Sequence, residues 1–175
     1  MSRRVLVTGA SRGIGRAIAY KLAADGFAVS VHCRTGRSEA DAVATGIAAQ
    51  GGTARVLQFD VRERAACREA LEADVAAHGP YYGIVCSAGV TRDAAFPALT
   101  EEDWDVVIET GLDAFYNVVR VKSEPGKTYR PVRCRVCRGA LAPTDGDDIL
   151  KYFLVHRPSN ARRPKGRNFA SRTAV

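Results

Sequence analysis

No apolar run in the sequence approaches the roughly 20 consecutive residues that a membrane-spanning helix needs, so no membrane partner is expected. The opening Met1-Ser2-Arg3-Arg4 passes at once into strand-like sequence without the apolar stretch of a secretory signal, which points to a cytoplasmic setting. Cysteine is sparse, five residues in all, and in that setting these read as reduced thiols rather than a disulfide framework. Cys134 and Cys137 supply half of a zinc ligand set, but no second Cys/His pair completes it and His156 stands alone, so no metal is expected. Aromatic residues make up only 7% of the chain and do not interleave with its basic stretches, so nucleic acid is not the favoured partner.

What is present is unevenly charged. The net charge of +7 combines residues 1–119, with 12 Lys/Arg against 15 Asp/Glu, and residues 120–175, with 14 against 4. A step of that size marks two regions of different character.

The first region is organised around Arg4 to Ala19. Val5, Leu6 and Val7 read as a buried strand, and Ile14, Ile18 and Leu22 share one face of a following helix. Between them stand Gly9, Gly13 and Gly15. Gly9 permits a sharp exit from the strand, Gly13 a close backbone approach to a pyrophosphate, and Gly15 tight helix–strand packing. The free N–H groups of the helix start then face negative charge. A glycine pattern so placed between strand and helix predicts a phosphate cradle.

Further strands are predicted at 27–33, 54–61 and 82–86, with helices at 38–50 and 63–78. Thr100 to Asp103 reads as a capping box opening a long helix through Val119. Strands alternating with helices at this pitch predict an α/β fold, a doubly wound, Rossmann-type parallel sheet joined by right-handed crossovers.

Residues 4 to about 119 resemble the first half of a short-chain dehydrogenase/reductase, and in particular the bacterial 3-oxoacyl-[acyl-carrier-protein] reductases. The resemblance rests on Thr8-Gly9-Ala10-Ser11-Arg12-Gly13-Ile14-Gly15, Asp60-Val61, Cys86-Ser87-Ala88-Gly89, and Thr91-Arg92-Asp93 followed by Leu112-Asp113-Ala114-Phe115-Tyr116-Asn117-Val118. It implies that Asp60 bonds an adenine ring with Val61 beside it, and that the Ala88-Gly89 backbone passes beneath the nicotinamide ribose. It also implies a small-molecule or acyl-carrier-bound carbonyl substrate and homo-oligomers formed through the long helix. Where the family usually has Asn-Asn-Ala-Gly, this chain has Cys86-Ser87-Ala88-Gly89, with Cys86 read as a small apolar strand residue.

Charge predicts the form of the cofactor. An acidic residue ending the second strand would repel a ribose 2′-phosphate. This chain instead has Arg34 and Thr35 there, with Ser11 and Arg12 in the glycine loop. Two guanidiniums converging on one ribose match phosphate oxygens, so NADP is expected over NAD.

The resemblance fails at the reaction centre. The family reduces carbonyls with an Asn, a Ser, a Tyr and a Lys, the cation lowering the phenol pKa so that it can give up a proton. Gly111 stands where the Asn belongs, in Thr110-Gly111-Leu112-Asp113, and none of the six tyrosines has a lysine four residues on. No catalytic residue is therefore assigned. Residues 120–175 form a divergent basic tail in which 132–137 could serve as a substitute edge strand, 149–155 as a strand or short helix, and residues after Ser159 as a disordered end. A shifted frame, a misjoined exon, a fusion or natural divergence would each give such a tail. We read the chain as a truncated or disrupted NADP-dependent reductase. The alternatives are a non-catalytic nucleotide-binding or interaction module and, further off, a nucleic-acid binder acting through the tail.

Overall fold

The computed structural model describes residues 3–120, 133–134 and 152–153. Four strands, β1 (Arg4–Val7), β2 (Ala28–Cys33), β3 (Thr53–Gln58) and β4 (Gly83–Val85), form one parallel sheet in the order β3-β2-β1-β4. The crossovers between them are α1 (Gly13–Ala24), α2 (Arg37–Ala49) and α3 (Arg64–His78). The expected doubly wound, Rossmann-type sheet is what the chain forms.

Alternation along the strands sorts the core into two layers. Val5, Val7, Val29, Val31 and Val85 pack with Ala19 of α1 and with Ala40, Val43 and Ile47 of α2. Leu6 points the other way and packs with Phe59, Val61, and Cys67 and Leu71 of α3. Both faces are covered, which is why the strands read as near-continuous apolar runs. Arg4 of β1 and Ser30 and His32 of β2 are the buried polar exceptions.

The strands match their expected limits to within one residue, except that β3 ends three residues early. The third strand stops at Gln58 because Asp60 makes a turn, its carboxylate accepting from the Arg62 backbone N–H at 3.0 Å while its carbonyl accepts from Glu63 at 3.1 Å. The helix expected over 101–119 is interrupted. It runs as α4 (Glu101–Ile108), a π-helical turn (Glu109–Asp113) and α5 (Ala114–Val119). The expected cap is present, with the Thr100 hydroxyl accepting from the Asp103 backbone N–H at 3.1 Å. Only α5 packs into the core, through Ala114 and Val118, while Asn117 Nδ2 donates to the carbonyls of Val61 and Arg62 at 3.0 and 3.2 Å.

In the tail, β5 (Arg133–Cys134) pairs in parallel with β6 (Tyr152–Phe153) and not with β4. The rest of the expected edge strand, the rest of 149–155 and everything after Ser159 lie outside the described residues. Among the described residues no helix is long and apolar enough to cross a membrane, and no group of three or more His, Cys, Asp or Glu is placed to hold a metal.

A buried ionic cluster sits beneath α3 at the amino ends of the strands. Arg4 reaches Asp74 at 2.9 Å and the Gly79 carbonyl at 2.6 Å, Arg55 reaches Asp74 at 3.3 Å, and the Tyr81 hydroxyl donates to the same carboxylate. Burial, then the bond to Asp74, pushes the Tyr81 phenol above its ordinary pKa, so it stays a donor. Removing one partner of such a pair strands the other charge out of water. Asp74→Leu should therefore lower unfolding stability by about 3–5 kcal/mol in urea melts. Asp25→Ala, which breaks the exposed Lys21–Asp25 pair, should change it by no more than about 0.5 kcal/mol.

Candidate functional site

Strand order reverses at β1, because β2 and β3 extend the sheet to one side and β4 lies on the other. The loops leaving β1 and β4 therefore diverge, and a crevice opens at the carboxyl edge of the sheet. It holds a cleft of about 490 Å³.

The turn after β1 builds its floor. Gly9 has φ +64°, and a Cβ there would come within 2.8 Å of the Ala88 backbone. A side chain at this position would thus meet both strain and the β4 loop. A Cβ on Gly15 would lie 2.3 Å from the Gly9 carbonyl, so the third glycine lets α1 close on the turn rather than on a strand. Gly13, at φ +56°, has nothing within 4 Å of a Cβ position, leaving open space above its backbone. The buried Thr8 hydroxyl accepts from the backbone N–H groups of Ser87 and Ala88 at 3.0 and 3.1 Å. That one side chain joins the β1 turn to the β4 loop.

Of the fourteen residues singled out in the sequence, thirteen line this cleft: Gly9, Ser11, Arg12, Gly13, Ile14 and Gly15 from the turn, Arg34 and Thr35 after β2, Asp60 and Val61 after β3, and Ser87, Ala88 and Gly89 after β4. Cys86 stands apart from it. It directly follows β4, and burial pushes its thiol pKa up to about 12, the environment of an inert apolar residue rather than of a ligand or nucleophile.

Asp60 is already engaged. Arg62 grips its carboxylate through Nε at 3.2 Å and Nη2 at 2.8 Å, and these bonds hold it below the ordinary carboxylate range against the opposing effect of burial. Arg34 reaches the same group only at 4.0 Å and is half-exposed, leaving its fork available to the cleft. Thr110, in the π-helical turn, also lines the cleft, its buried hydroxyl without a hydrogen-bond partner. A Cβ on the adjacent Gly111 would meet nothing within 4 Å, so the position expected to carry an Asn is empty of side chain and open.

Sequence reasoning missed His32, Glu39 and Thr110 in this cleft. His32 Nδ1 accepts from the Gly9 backbone N–H at 3.2 Å, so Nε2 carries the proton that it donates to the Phe59 carbonyl at 2.9 Å. The ring also packs on Phe59, centroids 4.2 Å apart. It braces the glycine turn against the end of β3. The available signal was a lone imidazole inside a strand that is otherwise small and apolar.

Comparison with known proteins agrees with this geometry. Residues 3–124 match the short chain dehydrogenase family. The chain belongs to that family. A curated 3-oxoacyl-[acyl-carrier-protein] reductase of Aggregatibacter actinomycetemcomitans is 59% identical over 119 residues, covering 68% of this chain and 49% of the relative. Acetoacetyl-CoA reductase of Shinella zoogloeoides is 40% identical over 118 residues, covering 67% and 47%. Among solved structures, a gluconate 5-dehydrogenase from Burkholderia cenocepacia, crystallised with NADP and tartrate, has a TM-score of 0.64 at 33% identity and covers 69% of this chain and 48% of that one. A dehydrogenase/reductase from Sinorhizobium meliloti has a TM-score of 0.66 at 34% identity, covering 69% and 48%. The chain spans about half the length of the curated relatives it matches. As a short-chain dehydrogenase it belongs to a family of oxidoreductases that use a nicotinamide cofactor.

Burial pulls the His32 pKa down to about 4, the Phe59 carbonyl bond opposing, so the folded protein holds this ring neutral. An unfolded chain binds that proton near pH 6.5. The stabilisation from the neutral ring is therefore fully present above about pH 6.5 and is lost as pH falls toward 4, a span worth roughly 3 kcal/mol. His32→Phe should remove one proton's worth of slope from the stability–pH profile in that window, measured by urea melts at a series of pH values.

Proposed function

We propose that this chain binds NADP in the cleft, as the cofactor half of a short-chain reductase acting on 3-oxoacyl thioesters or related carbonyls, and that its own catalysis is impaired. The observation that carries the reading is the convergence of an open glycine turn, Arg12 and Arg34 on one crevice at the strand reversal. Backbone N–H groups of the turn and of the start of α1 suit a pyrophosphate. Arg34, Arg12, Thr35 and Ser11 suit the 2′-phosphate, with Asp60 and Val61 beside the adenine and Ser87 to Gly89 beneath the nicotinamide ribose. Bound there, a reduced nicotinamide would supply a hydride donor for a carbonyl carbon. The chain's own part is to hold and orient that ring, through the Thr8 tether on the Ala88 segment and the His32 brace on the turn.

Impairment follows from the side chains the chemistry needs. Gly111 has none, and no tyrosine in the chain is followed four residues on by a lysine. This favours, as a second reading, a nucleotide-binding or interaction module without turnover. Trp104, Leu112 and Tyr116 expose apolar surface along α4, the π-helical turn and α5, which supports self-association through this helix. Calorimetric titration with NADP and NAD tests the nucleotide reading, and absence of saturable binding of either would end it.

Arg34→Glu should weaken NADP at least about tenfold while leaving NAD within about twofold, because a carboxylate then faces the 2′-phosphate. Equal losses would mean that Arg34 does not read that phosphate. Gly13→Val should abolish binding of both nucleotides, since its side chain would enter the open space above the turn and strain a left-handed residue. A normal thermal unfolding profile of the variant would assign the loss to the site. Incubation of the purified chain with NADPH and a 3-oxoacyl thioester should show no turnover above background, and family-like rates would overturn the impairment.

A further inference from the structure

The cationic character of the cleft has an acidic exception, and its position gives it a role. Gly36 is the N-cap of α2 in the left-handed region, at φ +37°, and offers no side chain to cap the helix. Three residues on, Glu39 folds back over that end. A Cβ on Gly36 would stand 3.0 Å from Glu39 Oε2 and 3.8 Å from the Ser11 hydroxyl. The carboxylate and the glycine-loop hydroxyl thus flank one point at the mouth of the cleft, where the chain leaving β2 faces the chain leaving β1. Ser38 Oγ donates to Oε2 at 2.9 Å. Glu39, Arg12, Arg34 and Thr35 all line the same cleft.

Two acids therefore share the site with its two arginines, and they are not equivalent. Asp60 is committed to Arg62 by a bidentate grip, so its charge is largely answered by a cation outside the cleft lining. Glu39 makes no ion pair within 4.0 Å among the described residues. Its own backbone N–H first, then the Ser38 hydroxyl and more weakly the Arg12 charge, hold the carboxyl below its ordinary range, so it is ionised at neutral pH. An incoming phosphate would thus meet an anion already seated on donors it could itself use: the Glu39 backbone N–H in the first turn of α2, the Ser38 hydroxyl and the field of Arg12.

We propose that Glu39 is a specificity-determining residue of this cleft: its carboxylate competes with a nucleotide 2′-phosphate for the α2 end and Arg12, reducing the preference for NADP over NAD that the two arginines would otherwise impose. The proposal rests on the nucleotide-binding function proposed above. A ribose 2′-hydroxyl, which can donate to a carboxylate, meets no penalty from Glu39, whereas a dianionic phosphate must displace it. Because the side chain is exposed and can swing away, the effect is a bias between cofactors and not a block.

The test is calorimetric titration of the full chain with NADP and with NAD at low salt, before and after Glu39→Gln. Glutamine keeps the length and the Ser38 partner while removing the charge. NADP should bind about five- to tenfold tighter to the variant, with NAD unchanged within about twofold, and raising the salt should shrink the difference. Adding Arg12→Gln should remove most of that gain if the two charges act on one phosphate. Saturable binding of both nucleotides to the unsubstituted chain, with no change in their ratio in Glu39→Gln, would overturn the role of Glu39 and leave the proposed function standing. Weaker NADP binding in the variant would also overturn it, by making Glu39 a support for the phosphate rather than its competitor. Failure of both nucleotides to bind the unsubstituted chain would remove the function and this proposal with it, whereas binding of NADP without NAD would leave the function standing and overturn the bias assigned to Glu39.

Discussion

At the carboxyl end of β1 the chain must leave the sheet between β2 and β4 without filling the gap their loops leave, and the Thr8–Gly9 pair meets that constraint. Thr8 spends its hydroxyl on the Ser87 and Ala88 N–H groups, which fixes how far the two loops separate. Gly9 then turns with its Cβ position pressed on the Ala88 backbone, while its N–H bonds to His32. Any side chain at Gly9, or loss of the Thr8 hydroxyl, would change the spacing of the crevice before it touched a ligand. The cleft is therefore a property of backbone packing first. The polar side chains around its rim act on a shape already set.

This division explains what the sequence made legible. Strand–helix alternation and the glycine spacing are local and periodic, so the sheet, its crossovers and most of the cleft lining followed from them. The π-helical turn did not, because one extra residue per turn leaves the apolar pattern on either side intact. His32 and Glu39 escaped for a different reason. A histidine in β2 becomes a brace only once parallel register brings it between Gly9 and Phe59. Glu39 reaches the cleft only because Gly36 bends the chain into a left-handed cap and turns the carboxylate back. Both roles belong to tertiary geometry and to no motif. Cys86, placed by motif beside Ser87 to Gly89, lies outside the lining of the cleft that those three residues share.

The two ends of the sheet use the same residue types for opposite purposes. At the amino edge, Arg4, Arg55 and the Tyr81 hydroxyl all converge on the one buried carboxylate of Asp74. At the carboxyl edge the charges are half-exposed and only partly answered. Arg34 approaches Asp60 no nearer than 4.0 Å, because Arg62 already holds that carboxylate. The buried cluster fixes Asp74, and with it α3, against the strand ends. An open one leaves donors for an anion from solution. Burial and pairing, more than residue identity, decide which arginines brace the sheet and which face the cleft.

Binding and chemistry also separate along this chain. The contacts that join the cleft's turns run between Thr8 and Asn117, and among them are a hydroxyl, an imidazole and an amide that a reaction does not consume. The proton-handling side chains that the resemblance implies would come later, beginning at the position of Gly111. That position adjoins a cleft-lining Thr110 whose hydroxyl is buried without a partner, and it lies in a π-helical turn with open space before it. Loss of the Asn side chain there leaves the Thr8 tether, the His32 brace and the open backbone above Gly13 intact. The geometry of the cleft is thus set by Thr8, Gly9 and His32 and does not depend on the side chain at position 111.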